Sequence, residues 1–247
     1  MRSPKDLYLD LLKRCLANTI YQDHGVFQGS DRPFDIRVRG QGQDWPAVAH
    51  TMIGIKRLDA LHFCMEDVLN RGVPGDFIET GVWRGGAVIF MRGLLMARGV
   101  ADRVVWAADS FAGLPPPDAD KYPQDAQSTF HHYAQLAVSL EQVQENFRRY
   151  GLLDDQVKFL KGWFRDTLPT APIERLAVMR LDGDMYESTM DALTHLYPRL
   201  SRGGYAIIDD YGDVPACRQA VSDYRASCGI DDVIVPIDET GVFWQKS

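Results

Sequence analysis

From Gly75 to the C-terminus the chain alternates short apolar runs with longer amphipathic segments, and this alternation restricts its fold more than any other feature. Strands that are buried on both faces read as continuous apolar runs, and helices that cross between them show a period of about 3.6 residues. Strand–helix repetition of this kind produces a mainly parallel sheet with helices on both faces. The sequence therefore predicts an α/β fold built on a doubly wound, mostly parallel sheet of seven strands.

The apolar runs set the predicted strand boundaries. The strands are expected at 76–81, 103–110, 156–162, 175–183, 203–211, 231–237 and 241–247. Amphipathic segments predict helices at 5–20, 50–72, 85–99, 185–200 and 216–229. A short turn separates the last two strands, which predicts an antiparallel hairpin at the sheet edge. We expect two regions, an N-terminal helical cap with its connector (1–72) and a domain that contains the sheet (73–247).

Two further segments show neither a helical nor a strand period. Residues 22–46 are rich in Gly, Asp, Arg and Pro and are predicted to form an extended connector. The segment 114–139 is proline-rich and too long for a plain connection between a strand and a helix. Long insertions are lids over a ligand site or disordered loops. Because this one follows the carboxyl end of a strand, we predict a lid.

The overall composition argues against several classes of protein. The formal net charge is −7 and the isoelectric point is near 5.3, whereas a nucleic-acid-binding surface needs basic clusters. No apolar run reaches the roughly 20 residues of a membrane-spanning helix, and the first residues lack the features of a secretion signal. The four cysteines form no C-x-x-C pair and are expected to be reduced thiols. We therefore expect a cytoplasmic protein without nucleic-acid or membrane partners.

Acidic residues end the first two strands of the sheet, where ligands bind in doubly wound folds. Glu79 ends the first strand, and Gly81 and Gly85 permit a tight turn into the next helix. The spacing G-x-x-x-G-G differs from the dinucleotide-binding fingerprint, and a plain packing turn stays an alternative. Asp109 ends the next strand, where an acid commonly accepts hydrogen bonds from ribose hydroxyls. Together the two acids indicate a cofactor that contains a nucleoside.

Three more carboxylates end two later strands. Asp182 ends the fourth strand, and Asp209 and Asp210 end the fifth. Carboxylates this close repel one another unless a cation lies between them, and oxygen ligands favour Mg²⁺. His and Cys are absent from both strand ends, which disfavours Zn²⁺. Asp184 has a second interpretation, because it can cap a helix that begins at Met185.

Five motifs, taken in order, carry a family resemblance. They are "AHTMIG", "DFIETGVWRGG", "ADSFAGLP", "LDGDMYEST" and "GGYAIIDDYGD", which together span residues 49–213. As a set they resemble the macrocin O-methyltransferase (TylF-like) family of class I S-adenosylmethionine-dependent methyltransferases, whose known members methylate sugar hydroxyls of antibiotics. The layout of the metal ligands is similar, more distantly, to that of catechol-type methyltransferases.

The resemblance implies a role for each matched residue. Glu79 would hold the methionine ammonium of the cofactor, and Asp109 its ribose hydroxyls. The implied cofactor contacts are completed by Thr51, Met52, Gly81, Arg84, Ser110, Gly162, Trp163 and Asp182, with Thr51 and Met52 at the carboxylate and Gly162 and Trp163 near the adenine. The implied Mg²⁺ ligands are Asp182, Asp209 and Asp210. The chain departs from the catechol-type pattern, because Met185 stands where those enzymes have a lysine and Asp210 where they have Asn, so the base is not that lysine. In TylF-like enzymes the first metal-binding Asp is the proposed base, and the resemblance therefore implies Asp182.

The function implied is Mg²⁺-dependent methylation of a small-molecule hydroxyl, expected on a sugar of a glycosylated natural product, in antibiotic biosynthesis. The region 73–247 would be the S-adenosylmethionine-binding domain, and the enzyme is expected to be a homodimer. Three alternatives stay open from the sequence. They are a catechol-type enzyme with a phenolic acceptor, a nicotinamide-dependent oxidoreductase, and a binding module without catalytic activity.

Overall fold

The computed structural model describes residues 2–27 and 30–247. The N-terminal part of the chain contains helix α1 (Pro4–Leu16), strands β1 (Gly25–Phe27) and β2 (Ser30–Arg32), helix α2 (Ile36–Gln41), strand β3 (Trp45–Pro46) and helix α3 (Gly54–Asn70). Ser3 caps α1, since its hydroxyl accepts from the Asp6 amide while the Asp6 side chain accepts from the Ser3 amide. The helix ends before the predicted residue 20, because Asn18 adopts a positive φ of 49°.

The remaining strands form the predicted sheet. They are β4 (Asp76–Thr80), β5 (Val105–Asp109), β6 (Val157–Lys161), β7 (Leu176–Leu181), β8 (Leu200–Ile208), β9 (Val235–Pro236) and β10 (Val242–Gln245). Within the described residues they follow the order β6-β5-β4-β7-β8-β10-β9. Strands β4 to β8 pair in parallel, while β10 pairs antiparallel with both β8 and β9. The predicted fold class and the closing hairpin are confirmed.

Helices cover both faces of this sheet. They are α4 (Gly86–Arg98), α5 (Leu140–Arg149), α6 (Phe164–Thr167), α7 (Tyr186–Leu196) and α8 (Pro215–Cys228). One buried cluster joins α1, α3 and α4 to β4, and a second joins α7 and α8 to the other face. None of the helices that the structure describes is both long and apolar enough to cross a membrane.

The segment 22–46 is more ordered than the extended connector that we expected. Strands β1, β2 and β3 form a small antiparallel sheet in the order β2-β1-β3, although residues 28 and 29 lie outside the described residues. The fully buried guanidinium of Arg39 holds this region together through ion pairs with Asp23 at 2.8 Å and Asp44 at 2.9 Å. The expectation was wrong because single charged residues carry no periodicity, while a buried ion pair fixes the backbone around it.

The N-terminal helices share a core with the sheet. Leu9, Leu12 and Leu16 of α1 are buried in the same cluster as the α4 side chains. Gly93 of α4 makes room for α1, since a Cβ at that position would lie 2.4 Å from Leu12 Cδ2. The division into regions 1–72 and 73–247 stays a prediction.

Candidate functional site

A cavity of about 370 Å³ opens beyond the carboxyl ends of the parallel strands. This is the place where doubly wound sheets bind ligands, and the volume is that of a small-molecule site. Of the residues predicted from the sequence, the cavity is lined by Thr51, Met52, Glu79, Gly81, Asp109, Ser110, Trp163, Asp182, Asp209 and Asp210. The fold therefore brings these side chains from distant parts of the chain into one site.

Glu79 lies at the end of β4 and is only 2% exposed. Its Oε1 accepts a hydrogen bond from Arg180 Nη1 at 2.5 Å, while no hydrogen-bond partner for Oε2 exists among the described residues. Burial raises the pKa of this carboxyl to about 8 in spite of the neighbouring Arg180. A buried carboxylate oxygen without a partner is costly, so this atom is suited to receive a cationic donor from a ligand.

The turn after Glu79 depends on glycine. Gly81 has a φ of 79°, and a Cβ there would lie 1.7 Å from the carbonyl oxygen of Asp182. No other residue fits, and this close approach sets the end of β4 directly beside the end of β7. Gly85, the residue directly before α4, has a φ of 88°. The glycines of this turn therefore allow close packing of the strand ends, and the same packing shapes the cavity wall.

Asp109, at the end of β5, organises two turns. Its Oδ2 accepts from the Val82 amide and its Oδ1 from the Phe111 amide, both at 2.7 Å. Burial nevertheless raises the pKa of this carboxyl. Ser110 closes the second turn, because its hydroxyl donates to the Gly113 carbonyl at 2.6 Å. Each carboxylate oxygen has a second lone pair, so Asp109 can still accept from hydroxyls in the cavity.

Thr51 and Trp163 line the cavity from opposite sides. The Thr51 hydroxyl accepts from the Ile53 amide at 3.3 Å, which fixes the side chain just before α3. Trp163 precedes α6, and its carbonyl accepts from the amides of the first turn of that helix. Further bonds hold both positions, since the Thr51 amide donates to the Leu16 carbonyl at 3.3 Å and the Thr167 hydroxyl donates to the Trp163 carbonyl at 3.1 Å.

Two of the predicted cofactor residues, Arg84 and Gly162, are not among the cavity-lining residues of the described chain. The Arg84 guanidinium donates instead to the carbonyls of Pro46 at 3.1 Å and Ala49 at 2.9 Å. It ties the β3 segment to the turn after β4. The Gly162 amide donates to the Asp109 carbonyl at 2.9 Å, continuing the β5–β6 pairing. The structure thus gives both residues a supporting position rather than a contact with the cavity.

Arg180 is the central charge of the site. It lies in β7, is 1% exposed, and its Nη1 donates to Asp182 Oδ2 at 2.8 Å as well as to Glu79. Its Nη2 donates to Asp209 Oδ1. Burial disfavours the charged guanidinium, but the surrounding carboxylates outweigh this effect and raise its pKa. Arg180 therefore stays charged and links the cofactor side of the cavity to its acidic side.

Asp209 is paired on both of its oxygens. Arg180 donates to Oδ1 and Arg57 of α3 donates to Oδ2. Arg57 Nε also lies 3.2 Å from Asp238 Oδ2. The sequence pattern gave a signal for this cluster, because an arginine within the apolar run 176–181 must find buried counter-ions.

A second group of acids faces the cavity, and it shares Asp182 with the ion pairs of Arg180. Asp182, Asp184 and Asp210 each offer one carboxylate oxygen, and these three atoms lie within 4.8 Å of one another. Burial, followed by the charge of the neighbouring acids, raises the pKa of Asp182 to about 6 and that of Asp184 to about 8. Burial and Asp184 also raise the pKa of Asp210. Three repelling oxygen donors fit a hard divalent cation such as Mg²⁺.

This arrangement differs from the sequence-based expectation at two positions. Asp184 lies in the acid cluster that faces the cavity, in the place expected for Asp209, whose oxygens are held by arginines in this structure. The capping interpretation of Asp184 was wrong, because Met185 and not Asp184 is the N-cap residue of α7, and the first amides of the helix donate to the side chain of Asp125. Its backbone amide donates instead to Asp210 Oδ2 at 3.1 Å, with Asp184 itself at a φ of 56°. Sequence spacing cannot reveal such a left-handed turn at an aspartate.

Comparison with known proteins gives a consistent result. The family model of Macrocin-O-methyltransferase (TylF) matches residues 5–246. The chain is 59% identical to mycinamicin III 3''-O-methyltransferase of Micromonospora griseorubida over 247 residues, which cover 98% of this chain and 97% of that protein. It is also 59% identical over 246 residues to the 8-demethyl-8-(2,3-dimethoxy-alpha-L-rhamnosyl)-tetracenomycin-C 4'-O-methyltransferase of Streptomyces olivaceus, with coverages of 98% and 94%.

The solved structure of the O-methyltransferase NovP is similar over the same extent. The TM-score is 0.95 at 55% sequence identity, and the alignment covers 98% of this chain and 99% of that one. All four matches therefore run across the N-terminal helices, the sheet and the closing hairpin.

Proposed function

Because the chain belongs to the macrocin O-methyltransferase (TylF) family and is thus an O-methyltransferase, we propose that it methylates a sugar hydroxyl of a glycosylated small molecule. Family membership implies S-adenosylmethionine as the methyl donor. One relative is named as a 3''-O-methyltransferase of mycinamicin III, and another as a 4'-O-methyltransferase of a rhamnosyl-tetracenomycin C. These names support a sugar as the acceptor. The oxidoreductase and the non-catalytic alternatives are set aside by these matches.

The single observation that carries the proposed cofactor site is the unpartnered Oε2 of Glu79. This buried oxygen belongs to a cavity-lining residue, where the ammonium of a methionine moiety supplies the missing donor. Asp109 lies one strand away, at a register where Glu79 pairs with Ala107. Because β4 and β5 are neighbours, Glu79 and Asp109 could bind the amino acid moiety and the ribose of one cofactor molecule.

We propose that Asp182 and Asp210 hold a Mg²⁺ ion, with Asp184 as the third carboxylate that the geometry offers. The predicted ligand Asp209 is the alternative third carboxylate, and it would have to leave Arg57 or Arg180 to serve. A bound divalent cation supplies Lewis acidity, which makes an alcohol oxygen a better nucleophile near neutral pH. A bound cation would also offset the mutual repulsion of these carboxylates before the reaction.

Methyl transfer from a sulfonium is an in-line displacement. The acceptor oxygen bonds to the methyl carbon as the carbon–sulfur bond breaks, the sulfide product leaves neutral, and the hydroxyl proton passes to a base. Asp182 is the predicted base, because its carboxylate lines the cavity beside the other acids of the cluster. Arg180 would fix the carboxylate of Asp182, since Nη1 donates to its Oδ2 at 2.8 Å.

Titration calorimetry tests the cofactor assignment. We expect micromolar binding of S-adenosylhomocysteine and no binding of NAD. Glu79→Gln should weaken the binding of S-adenosylhomocysteine at least about tenfold, because the neutral amide cannot pair with the ammonium. Glu174→Gln is the matched control, because it makes the same chemical change at an exposed residue that does not line the cavity. Binding of NAD instead would disprove the assignment.

A second experiment tests the metal and its ligands. Activity on a glycosylated acceptor should be lost in EDTA and return with Mg²⁺. Asp182→Asn should not be rescued by excess Mg²⁺, because it removes a ligand charge and the predicted base together. Whichever of Asp184→Asn and Asp209→Asn shifts the Mg²⁺ midpoint more identifies the third carboxylate. Full activity in EDTA would contradict a role for the metal.

The predicted homodimer and cytoplasmic location remain part of this proposal. Light scattering of the purified protein measures the oligomeric state directly, and a monomer at all concentrations would contradict the dimer.

A further inference from the structure

The insertion 114–139 is attached to the helix that follows the acid cluster. Asp125 lies within the insertion and is only 1% exposed. Its Oδ1 accepts from the Tyr186 amide at 2.7 Å, and its Oδ2 accepts from the Glu187 amide at 3.0 Å. Tyr186 is the first residue of α7, so a carboxylate 61 positions earlier in the chain supplies the cap of this helix.

The cap is needed at this position. The residue before α7 is Met185, which has no side-chain acceptor, and the first amides of a helix lack partners within the helix. A carboxylate there satisfies two of these amides and interacts favourably with the positive end of the helix dipole. The rings of Tyr122 and Tyr186, 6.0 Å apart, form a second contact between the insertion and α7.

The helix start is continuous with the loop that carries two acids of the cluster. Asp182, Gly183 and Asp184 directly precede the buried Met185. Asp184 is held at a φ of 56°, a conformation that costs a non-glycine residue free energy unless its surroundings enforce it. Asp125 fixes the residue at which this loop enters α7, and thereby limits where the Asp182 and Asp184 carboxylates can lie.

The other part of the insertion contacts the opposite side of the cavity. Phe130 and Leu136 line it, and the Gln135 carbonyl accepts from Trp83 Nε1 at 2.9 Å. Tyr133 packs edge-on against Trp45 at 5.3 Å between ring centroids. The insertion thus joins the acid side of the site, through Asp125, to the turn that follows Glu79.

We propose that Asp125 is a positioning residue that sets the divalent-cation affinity of the Asp182–Asp184 loop. It acts through the Tyr186 and Glu187 amides and contacts neither substrate nor cofactor. The proposal rests on the metal part of the proposed function. Because residues 122–128 contain both contacts with α7, we expect them to form the fixed anchor of the insertion and expect any opening of the predicted lid to be confined to residues 129–137.

Variants of Asp125 test this role. Asp125→Ala removes both acceptors and should weaken Mg²⁺ binding about tenfold in calorimetry, as loss of a residue that supports metal ligands typically does. Asp125→Asn keeps one acceptor oxygen and should give an intermediate loss. The affinity for S-adenosylhomocysteine should stay within about twofold in both variants, because the Glu79 side of the cavity is untouched. Asp118→Ala, in the exposed part of the insertion, is the matched control and should leave Mg²⁺ binding unchanged.

Amide hydrogen exchange provides an independent measurement. The Tyr186 and Glu187 amides should exchange faster in both Asp125 variants, and in the wild type residues 122–128 should exchange more slowly than residues 129–137. Unchanged Mg²⁺ affinity together with faster exchange at α7 would overturn the proposal, as would an equal loss of Mg²⁺ and S-adenosylhomocysteine binding. If Asp125→Ala does not fold, Asp125→Asn decides alone. A wild-type protein that binds no Mg²⁺ would overturn the metal part of the proposed function as well, whereas the other negative results leave that part intact.

Discussion

Asp209 and Asp210 are neighbours in the sequence, yet the structure places them in opposite electrostatic situations. Asp209 accepts from Arg57 and Arg180, so its charge is compensated inside the protein. Asp210 faces Asp182 and Asp184, so its charge is not compensated, and its pKa is raised. The ion pairs centred on Arg180 hold the site together and include one oxygen of Asp182. Asp184 and Asp210 have no cationic partner among the described residues, so they repel each other until a cation binds. Substitutions in the two groups should therefore have opposite effects on stability.

The largest effect is expected from Arg180→Met. The substitution leaves Glu79, Asp182 and Asp209 without their shared counter-ion, and breaking a buried ion pair costs about 3–5 kcal/mol. Chemical denaturation should show this decrease in the free energy of unfolding. Arg37→Met is the control, because the Arg37–Asp35 ion pair is exposed to solvent, where such pairs contribute little to stability. A loss of the same small size at Arg180 would mean that the cluster is not the internal support of the site.

The second effect is the dependence of the free energy of unfolding on pH, which follows from the raised pKa values in the acid cluster. Asp182 and Asp184, with pKa values of about 6 and about 8, keep their protons in the folded protein at pH values where the unfolded chain has lost them. In EDTA the free energy of unfolding should therefore fall as the pH rises from about 4 to about 8. Mg²⁺ at 100 times its dissociation constant should restore about 2.7 kcal/mol at pH 8. Thermal and chemical denaturation at several pH values measure both changes, and a stability that rises over this range in EDTA would contradict the assignment.

A smaller effect distinguishes the two adjacent aspartates directly. In the absence of metal, Asp209→Asn should lower the free energy of unfolding by about 2 kcal/mol, because both arginines lose a charged acceptor. Asp210→Asn should raise it by about 1 kcal/mol, since one repelling charge disappears. The same denaturation experiment in EDTA compares them. If both variants changed the free energy of unfolding in the same direction, Asp209 and Asp210 would not differ in charge compensation as described.

The last effect is one on cofactor binding and not on stability, and it is expected at Asp109, whose carboxylate accepts from backbone amides instead of arginines. Asp109→Ala should weaken the binding of S-adenosylhomocysteine at least about tenfold, or 1.4 kcal/mol. Calorimetry measures this change, with Asp109→Asn as the companion variant that keeps one acceptor for the Val82 or Phe111 amide. Equal affinity in wild type and both variants would show that this carboxylate serves the turns alone.

Much of the fold could be predicted from local patterns. Strands β4 to β7 lie within the apolar runs identified in the sequence, because a strand buried on both faces must be apolar along its whole length. Strand β8 overlaps its predicted run 203–211 but begins earlier, at Leu200. The closing hairpin followed from the short turn between its strands. The segment 22–46 was predicted poorly, since its structure depends on the pairing of Arg39 with Asp23 and Asp44 and not on any periodicity.

The sequence by itself determined the sheet, the edge at which the site lies, and the acids Glu79, Asp109 and Asp182 that end its strands, because strand ends follow from apolar run lengths. Only the tertiary structure decided how those acids are paired. Hydrogen-bond partners such as Arg57 with Asp209, or Asp125 with the Tyr186 amide, are separated by 152 and 61 positions, and no local pattern encodes them. Charge compensation acts over a few ångströms in space, so it becomes defined when the chain has folded and not before.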